Sequence, residues 1–186
     1  MSDRITVRNV RLSFPRLFEA RAFQEGQTER YEASFLLDPS DKAHKKQIEQ
    51  IEAAAEAMIQ EKWPKKRPSK IEFCFGYADE EGLEYDGYEG MFFIRTNKKA
   101  PDGRPLVVDR ANNPLTADDG VVYAGCYVNG TLSLWLQDNQ YGKRINANLR
   151  GVQFVADGEA FSGVARVDPD DEFEAMEEAD ESDYLD

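Results

Sequence analysis

The sequence predicts a mainly β domain with one long amphipathic helix and a short acidic tail. Three observations lead there. Apolar and polar residues alternate in repeated short runs, the pattern of strands with one buried face. A single stretch between Asp41 and Pro64 has helical periodicity instead. The last nineteen residues, Asp168 to Asp186, hold eleven acids and no base, whereas Met1 to Val167 holds twenty-five acids against twenty-three bases. The net charge of -13 therefore belongs almost wholly to the tail. A segment so charged, with only Phe173, Met176, Tyr184 and Leu185 as sizeable apolar groups, is expected to stay disordered and open to partners. The expected division is one domain over residues 1–167 and a tail over residues 168–186.

The first strand is expected in "ITVRNVRLSF", Ile5 to Phe14, with an irregularity near Asn9, and the second in "RYEASFLLD", Arg30 to Asp38, placed to pair with it. "DPSD" supplies a turn and a cap for a helix running to Trp63, with Ile48, Ile51, Ala55, Met58 and Ile59 on its apolar face and Pro64 to end it. Ile71, Phe73, Phe75 and Tyr77 then alternate with Glu72, Cys74 and Gly76 as a half-buried strand. Further strands are expected at Met91–Asn97, Leu106–Arg110, Val121–Val128, Thr131–Gln137 and Arg144–Val155. Asn129-Gly130, between two of these, predicts a two-residue type I′ hairpin turn. That register puts Tyr123, Tyr127, Leu132, Leu134 and Leu136 on the core face and Trp135 among Ala124, Cys126, Thr131 and Ser133 on the other. There Trp135 is either a stacking platform or a ring buried by another element.

Composition narrows the chemistry. The single histidine, His44, stands in a Lys-rich helical stretch, where a solvated position is expected; a Ser/His/Asp triad or a histidine zinc site finds too few partners. Cys74 and Cys126 lie in apolar runs without metal spacing, as small buried thiols in a reducing compartment do. No phosphate-cradling glycine motif is present, no cofactor or metal is expected, and no apolar run approaches the roughly 20 residues of a membrane span. With no leader-like stretch at the start, the protein is expected to be soluble and intracellular. Six acids between Asp79 and Glu89 present two options, a Mg²⁺ site or a solvated Gly-rich loop; their irregular spacing favours the loop.

The bases are clustered. Arg4 to Phe18 contains no acid, Lys62 to Lys70 holds five bases and no acid, and no acid separates Asp138 from Asp157. Basic residues interleave with aromatics, as a groove for single-stranded nucleic acid requires: cations follow the phosphates and rings stack on splayed bases. The candidate cations are Arg11, Arg16, Lys62, Lys65, Lys66, Arg67, Arg95, Lys98, Lys99, Lys143, Arg144 and Arg150; the candidate rings are Trp135 and Tyr141. Phe14, Phe18 and Phe93 are expected in the core, with bases alternating on the solvent face. A protein that imitates DNA through its acidity, and a Mg²⁺-dependent nuclease on the Asp79–Glu89 acids, are the alternatives.

"GCYVN" at Gly125–Asn129 and "LRGVQFVADGEAF" at Leu149–Phe161 resemble the single-stranded DNA-binding proteins of tailed phages, a family once known only as a domain of unknown function. The resemblance runs from "VRLSFPRLFEA" to Phe161. It implies an OB-type barrel elaborated by the helix after the second strand, and single-strand binding without catalysis in phage replication or recombination, in the host cytoplasm, as a monomer or weak homo-oligomer. In the single-strand reading the eleven carboxylates of the tail are expected to compete with DNA for the groove, and its apolar groups Phe173, Tyr184 and Leu185 to recruit replication or recombination proteins. Here Tyr184, Leu185 and Asp186 stand where several such tails end in Phe.

Overall fold

The computed structural model describes residues 3–161 and residue 176. Apart from Met176, the expected tail, with Phe173, Tyr184 and Leu185, lies outside the described residues. The elements follow as β1 (Arg4–Arg21), β2 (Arg30–Leu37), α1 (Lys42–Lys62), β3 (Glu72–Phe73), β4 (Phe75–Tyr77), β5 (Phe92–Lys99), β6 (Leu106–Val108), β7 (Tyr127–Asn139) and β8 (Gly142–Ala156). Antiparallel neighbours run β8-β7-β1-β2-β5, and a parallel contact at Asn97 and Asn148 joins β5 back to β8. These five strands close a ring of the expected OB type, with the helix between its second and third members.

Period-two alternation fills that ring. Val7, Val10, Leu12, Phe35, Leu37, Phe92, Ile94, Leu132, Leu134, Ile145 and Leu149 are all buried in one core cluster. Helix α1 packs against β1, β2 and β7 and adds Ile48, Ile51, Ala55 and Ile59 to that cluster. Each of its three isoleucines contributes roughly 1.5–3 kcal/mol. The Asp41 carboxylate caps the helix by accepting the His44 N–H at 3.0 Å, and Pro64 lies just beyond the Trp63 C-cap.

His44 is not solvated. It is buried in the first turn of α1, where its Nδ1 accepts the Asp38 N–H at 2.9 Å and its Nε2 faces the carbonyls of Arg8 and Asn9 at 3.0 and 3.1 Å. An acceptor role for Nδ1 leaves the proton on Nε2, which donates to those carbonyls. They need a donor because β1 bulges there: Asn9 has φ 54° and the pairing with β7 slips between Val7 and Val10. The irregularity expected at Asn9 is thus real, and the histidine is its partner.

The Asn129-Gly130 turn does not form. β7 runs straight through both residues, Gly130 pairs with Val7 on one side and Val152 on the other, and Val121–Cys126 folds as loop and turn rather than strand. The hairpin lies at Gln140-Tyr141, with Gly142 at φ 123°. Gly130 answers a different need, because a Cβ there would sit 2.5 Å from the Phe35 ring. Asn129 spans the sheet: its Oδ1 accepts the bulged Asn9 N–H at 2.9 Å, and its Nδ2 donates to Gln153 Oε1 at 3.0 Å. With the turn goes the register derived from it, although Leu132 and Leu134 still face the core.

The strand expected over Ile71–Tyr77 divides at Cys74. β3 pairs in parallel with β8 and β4 antiparallel with β5, while the Cys74 N–H donates to Ile145 O at 3.0 Å and its carbonyl accepts the Arg95 N–H at 2.8 Å. The segment bridges β8 and β5. Both thiols are buried and unpaired, as expected, and burial pushes Cys74 up to about 12.

Gly130→Ala should destabilise the fold by about 1–3 kcal/mol through overpacking against Phe35. Part of that loss should return in the Gly130→Ala/Phe35→Leu double variant, measured by urea unfolding; equal losses in both would mean that the ring contact is not what selects glycine.

Candidate nucleic-acid interface

A second bulge in β1 starts the site. Between Ser13 and Arg16 the pairing with β2 slips, and Phe14 takes φ 47°, rare for a large side chain. The bulge turns Phe14 outward, half exposed, instead of into the core where it was expected. Its ring meets Tyr85 edge-on at 5.0 Å and Tyr88 at 6.3 Å, and the two tyrosines meet at 5.3 Å. Tyr88 is anchored beneath, its hydroxyl donating to the buried Ser13 Oγ at 3.0 Å, and burial raises its pKa above the ordinary phenol value.

These rings edge an open cleft of about 630 Å³. Its floor lies where β5 and β8 separate around Cys74, with Thr96 and Ala147 beside it. Arg16, Arg95 and Arg144 line the walls, together with Asn97 and Asn146. Phe23, 90 % exposed in the β1–β2 loop, closes one side. The cations are held but not neutralised from all sides. Arg144 donates to Glu72 at 2.6 Å, Arg16 stands 3.9 Å from Glu32, and Arg95 lies 4.7 Å from the centre of the Phe93 ring. A wide, shallow cleft of guanidinium groups and exposed rings suits an extended polyanion carrying flat groups.

Of the expected cations, the cleft gathers Arg16, Arg95 and Arg144. Lys65, Lys66 and Arg67 line a separate hollow beside Trp63, where Arg67 pairs with Glu56. Lys62 stands at the end of α1 near Leu136 and Asp138. Lys98 and Arg150 share a third hollow, and Lys99 ends β5, exposed. Tyr141, 80 % exposed, tips the β7–β8 hairpin, while Lys143 pairs with Asp138 at 3.5 Å and lies 6.0 Å from the Trp63 ring. Trp135 is 37 % exposed on the outer face of β7, paired with Asn146 rather than Ala124.

Arg11 is engaged elsewhere. Its Nε donates to Gly125 O at 3.0 Å, its Nη2 donates to Glu159 O, and its guanidinium lies 4.1 Å from the centre of the Phe161 ring and 5.4 Å from that of Tyr127. Gly125, at φ 104°, admits no side chain, because a Cβ would fall 2.1 Å from Glu159 O; Phe161 in turn presses on Gly87. "GCYVN" and "DGEAF" are therefore two halves of one contact, with Arg11 between them.

Phe14, Phe23 and Tyr85 were not among the residues expected at the cleft that they line. Tyr85 belongs to the Asp79–Glu89 segment, whose acids drew notice away from its aromatics. That segment is a folded loop rather than a merely solvated one: Asp79 accepts the Gly90 N–H, and Tyr88 and Leu83 pack with Leu36, Ala78 and Phe93. Phe93 is buried there and Phe18 packs against the main core, both as expected. Among the described residues no three His, Cys, Asp or Glu side chains are grouped to hold a metal ion, and no helix is long and apolar enough to cross a membrane.

Comparison with known proteins gives a consistent result. The family model described as "Enterobacter phage Enc34, ssDNA-binding protein" matches residues 3–185. The chain belongs to the Enc34 phage single-stranded DNA-binding protein family. Protein p50 of Acyrthosiphon pisum secondary endosymbiont phage 1 is 41 % identical, over 94 % of this chain and 96 % of its own length. The single-stranded DNA-binding protein of bacteriophage Enc34, solved in complex with ssDNA, is 28 % identical with a TM-score of 0.72, covering 86 % of this chain and 89 % of that one. The fold is shared more widely. Gp2.5 of bacteriophage T7, a single-stranded DNA-binding protein, reaches a TM-score of 0.59 at 14 % identity, over 97 % of this chain and 100 % of that one.

The geometry at Arg11 gives a stability expectation. Arg11→Ala removes two charged donors from carbonyls and a cation from an aromatic face, a loss on the order of 2–3 kcal/mol. Calorimetry should show a melting temperature lower by about 4–12 °C. Arg11→Lys should restore only part of it, since an ammonium cannot reach both carbonyls with a planar fork; full restoration would contradict the bidentate role.

Proposed function

We propose that this protein binds single-stranded DNA without catalysis and largely without regard to sequence, in the cytoplasm of the host, during phage replication or recombination. The observation that carries the proposal is the cleft over the β5–β8 separation. It brings Arg16, Arg95 and Arg144 together with Phe14, Phe23 and Tyr85 on a chain whose family relative from Enc34 was solved with ssDNA. The guanidinium groups follow phosphates and the rings receive splayed bases; every base has a π-face, so stacking tolerates any sequence. Duplex DNA keeps its bases stacked on one another and gains only the phosphate contribution.

Residues 1–167 form the binding domain in this proposal, a monomer or weak homo-oligomer, and residues 168–186 act as a tethered competitor. Eleven carboxylates on a short tether are present at high effective concentration near the basic cleft, where they imitate the phosphate chain. DNA that displaces them frees Phe173, Tyr184 and Leu185 to recruit replication or recombination proteins. The near balance of charge in residues 1–167, twenty-five acids to twenty-three bases, leaves the domain able to hold a polyanion.

Two measurements test these points. Tyr85→Ala should weaken oligonucleotide binding by about 1–3 kcal/mol, roughly five- to 150-fold, with the melting temperature nearly unchanged, whereas Tyr85→Phe should bind as the unaltered protein does. A fall in affinity only alongside a fall in stability would return Tyr85 to a packing role. Deleting Asp168–Asp186 should tighten single-strand binding at low salt, with the gain shrinking as salt rises. Unchanged or weaker affinity after deletion would remove the competition.

A further inference from the structure

We infer that the path for a single strand continues beyond the aromatic cleft along the outer face of β8 to a second basic station at Lys98 and Arg150; this inference rests on the proposed single-strand binding. The segment "RINANLR", Arg144 to Arg150, alternates two sets of side chains. Ile145, Ala147 and Leu149 are buried in the ring. Arg144, Asn146, Asn148 and Arg150 form the opposite file, an arginine at each end and two amides between. The first two line the cleft and the last two line the hollow shared with Lys98, so one strand carries both places.

The two are adjoining parts of one surface. Asn97, a cleft residue on β5, pairs with Asn148, a residue of the hollow, and Lys98 follows directly in the chain. On the other side of the file β7 presents Ser133 opposite Asn148 and Trp135 opposite Asn146. Six residues of strand carry Arg144 to Arg150 about 20 Å apart at ~3.3 Å per residue, a separation that several nucleotides are needed to span. Arg150 forms no ion pair among the described residues, and Lys98 donates only to Arg104 O at 3.4 Å, which places Arg104 beside them. Asp102 lines the same hollow and moderates its potential. Amide side chains between two cationic stations give a strand polar contacts at either base edges or sugars without fixing a sequence.

A length series on the full chain tests the extension. Affinities are measured for oligothymidylates of about 4 and about 16 nucleotides, the range of site sizes of single OB folds. The Lys98→Ala/Arg150→Ala variant should bind the short oligomer as the unaltered protein does and the long one at least five-fold more weakly. Its salt slope on the long oligomer should be smaller by about 1.4, two phosphate contacts at ~0.7 each. Lys45→Ala/Lys46→Ala, which removes the same charge from the exposed side of α1, serves as the control and should change neither. Equal loss on both lengths, no loss on either, or the same loss in the control overturns the path. Absence of binding by the unaltered protein at both lengths removes the single-strand reading itself, and the path with it.

Discussion

Two parallel strands that meet at one residue pair govern this molecule. β5 and β8 touch at Asn97 and Asn148 and then diverge. The Glu72–Tyr77 segment fills the divergence, giving its first half to β8 and its second to β5 with Cys74 at the crossing. A ring closed in this way is sealed against water yet indented on its outer face. The cleft is that indentation, and the arginines of both diverging strands stand along its rim.

β1 supplies the complementary constraint. As the ring strand flanked by β2 and β7, it carries three register shifts, and two of them, at Asn9 and at Phe14, have opposite duties. The bulge at Asn9 is held by His44 from the helix and Asn129 from β7, and fastens the helix to the ring. The bulge at Phe14 is left open toward solvent and lifts a ring out of the core. Between them Arg11 binds the loop before β7 to the chain after β8. Scaffold and cleft therefore share one strand, separated by only a few residues.

What could be read from the sequence follows from how local each cause is. Period-two and helical patterns depend on neighbours in the chain, so the helix, the ring strands β1, β2, β5 and β8, and the buried Leu132 and Leu134 were legible. Asn129-Gly130 misled because two causes share one signature. Glycine beside asparagine marks a tight turn, but it equally marks a strand crossed closely by a Phe35 ring and bonded by its asparagine to a bulge 120 residues away. His44 misled similarly, since its charged neighbours on α1 say nothing of the carbonyls that β1 brings to it. Arg16, Arg95 and Arg144 stood out in the sequence by their charge, and the fold brings them to one cleft. Phe14, Phe23 and Tyr85 did not, because an aromatic in a strand or loop carries no mark telling an outward ring from an inward one until the bulge or loop geometry is known.

The Arg11 contact has a bearing on how the chain acquires its shape. Arg11 reaches across 148 residues to Glu159, and Asn9 across 120 to Asn129. Both fasten the first strand to the last third of the chain. As the polypeptide leaves the ribosome β1 and β2 can pair at once, but one edge of β1 waits for β7, and the ring cannot close until β8 has followed. So large a separation between partners puts the loop-closure entropy ahead of the contacts that offset it, and places folding toward the millisecond-to-second end of the range for small domains. During that interval the unpaired edge of β1 bears Arg4, Arg8 and Arg11. Charges along an open strand discourage pairing with other copies, so the basic side chains of β1 protect the nascent chain before the ring exists.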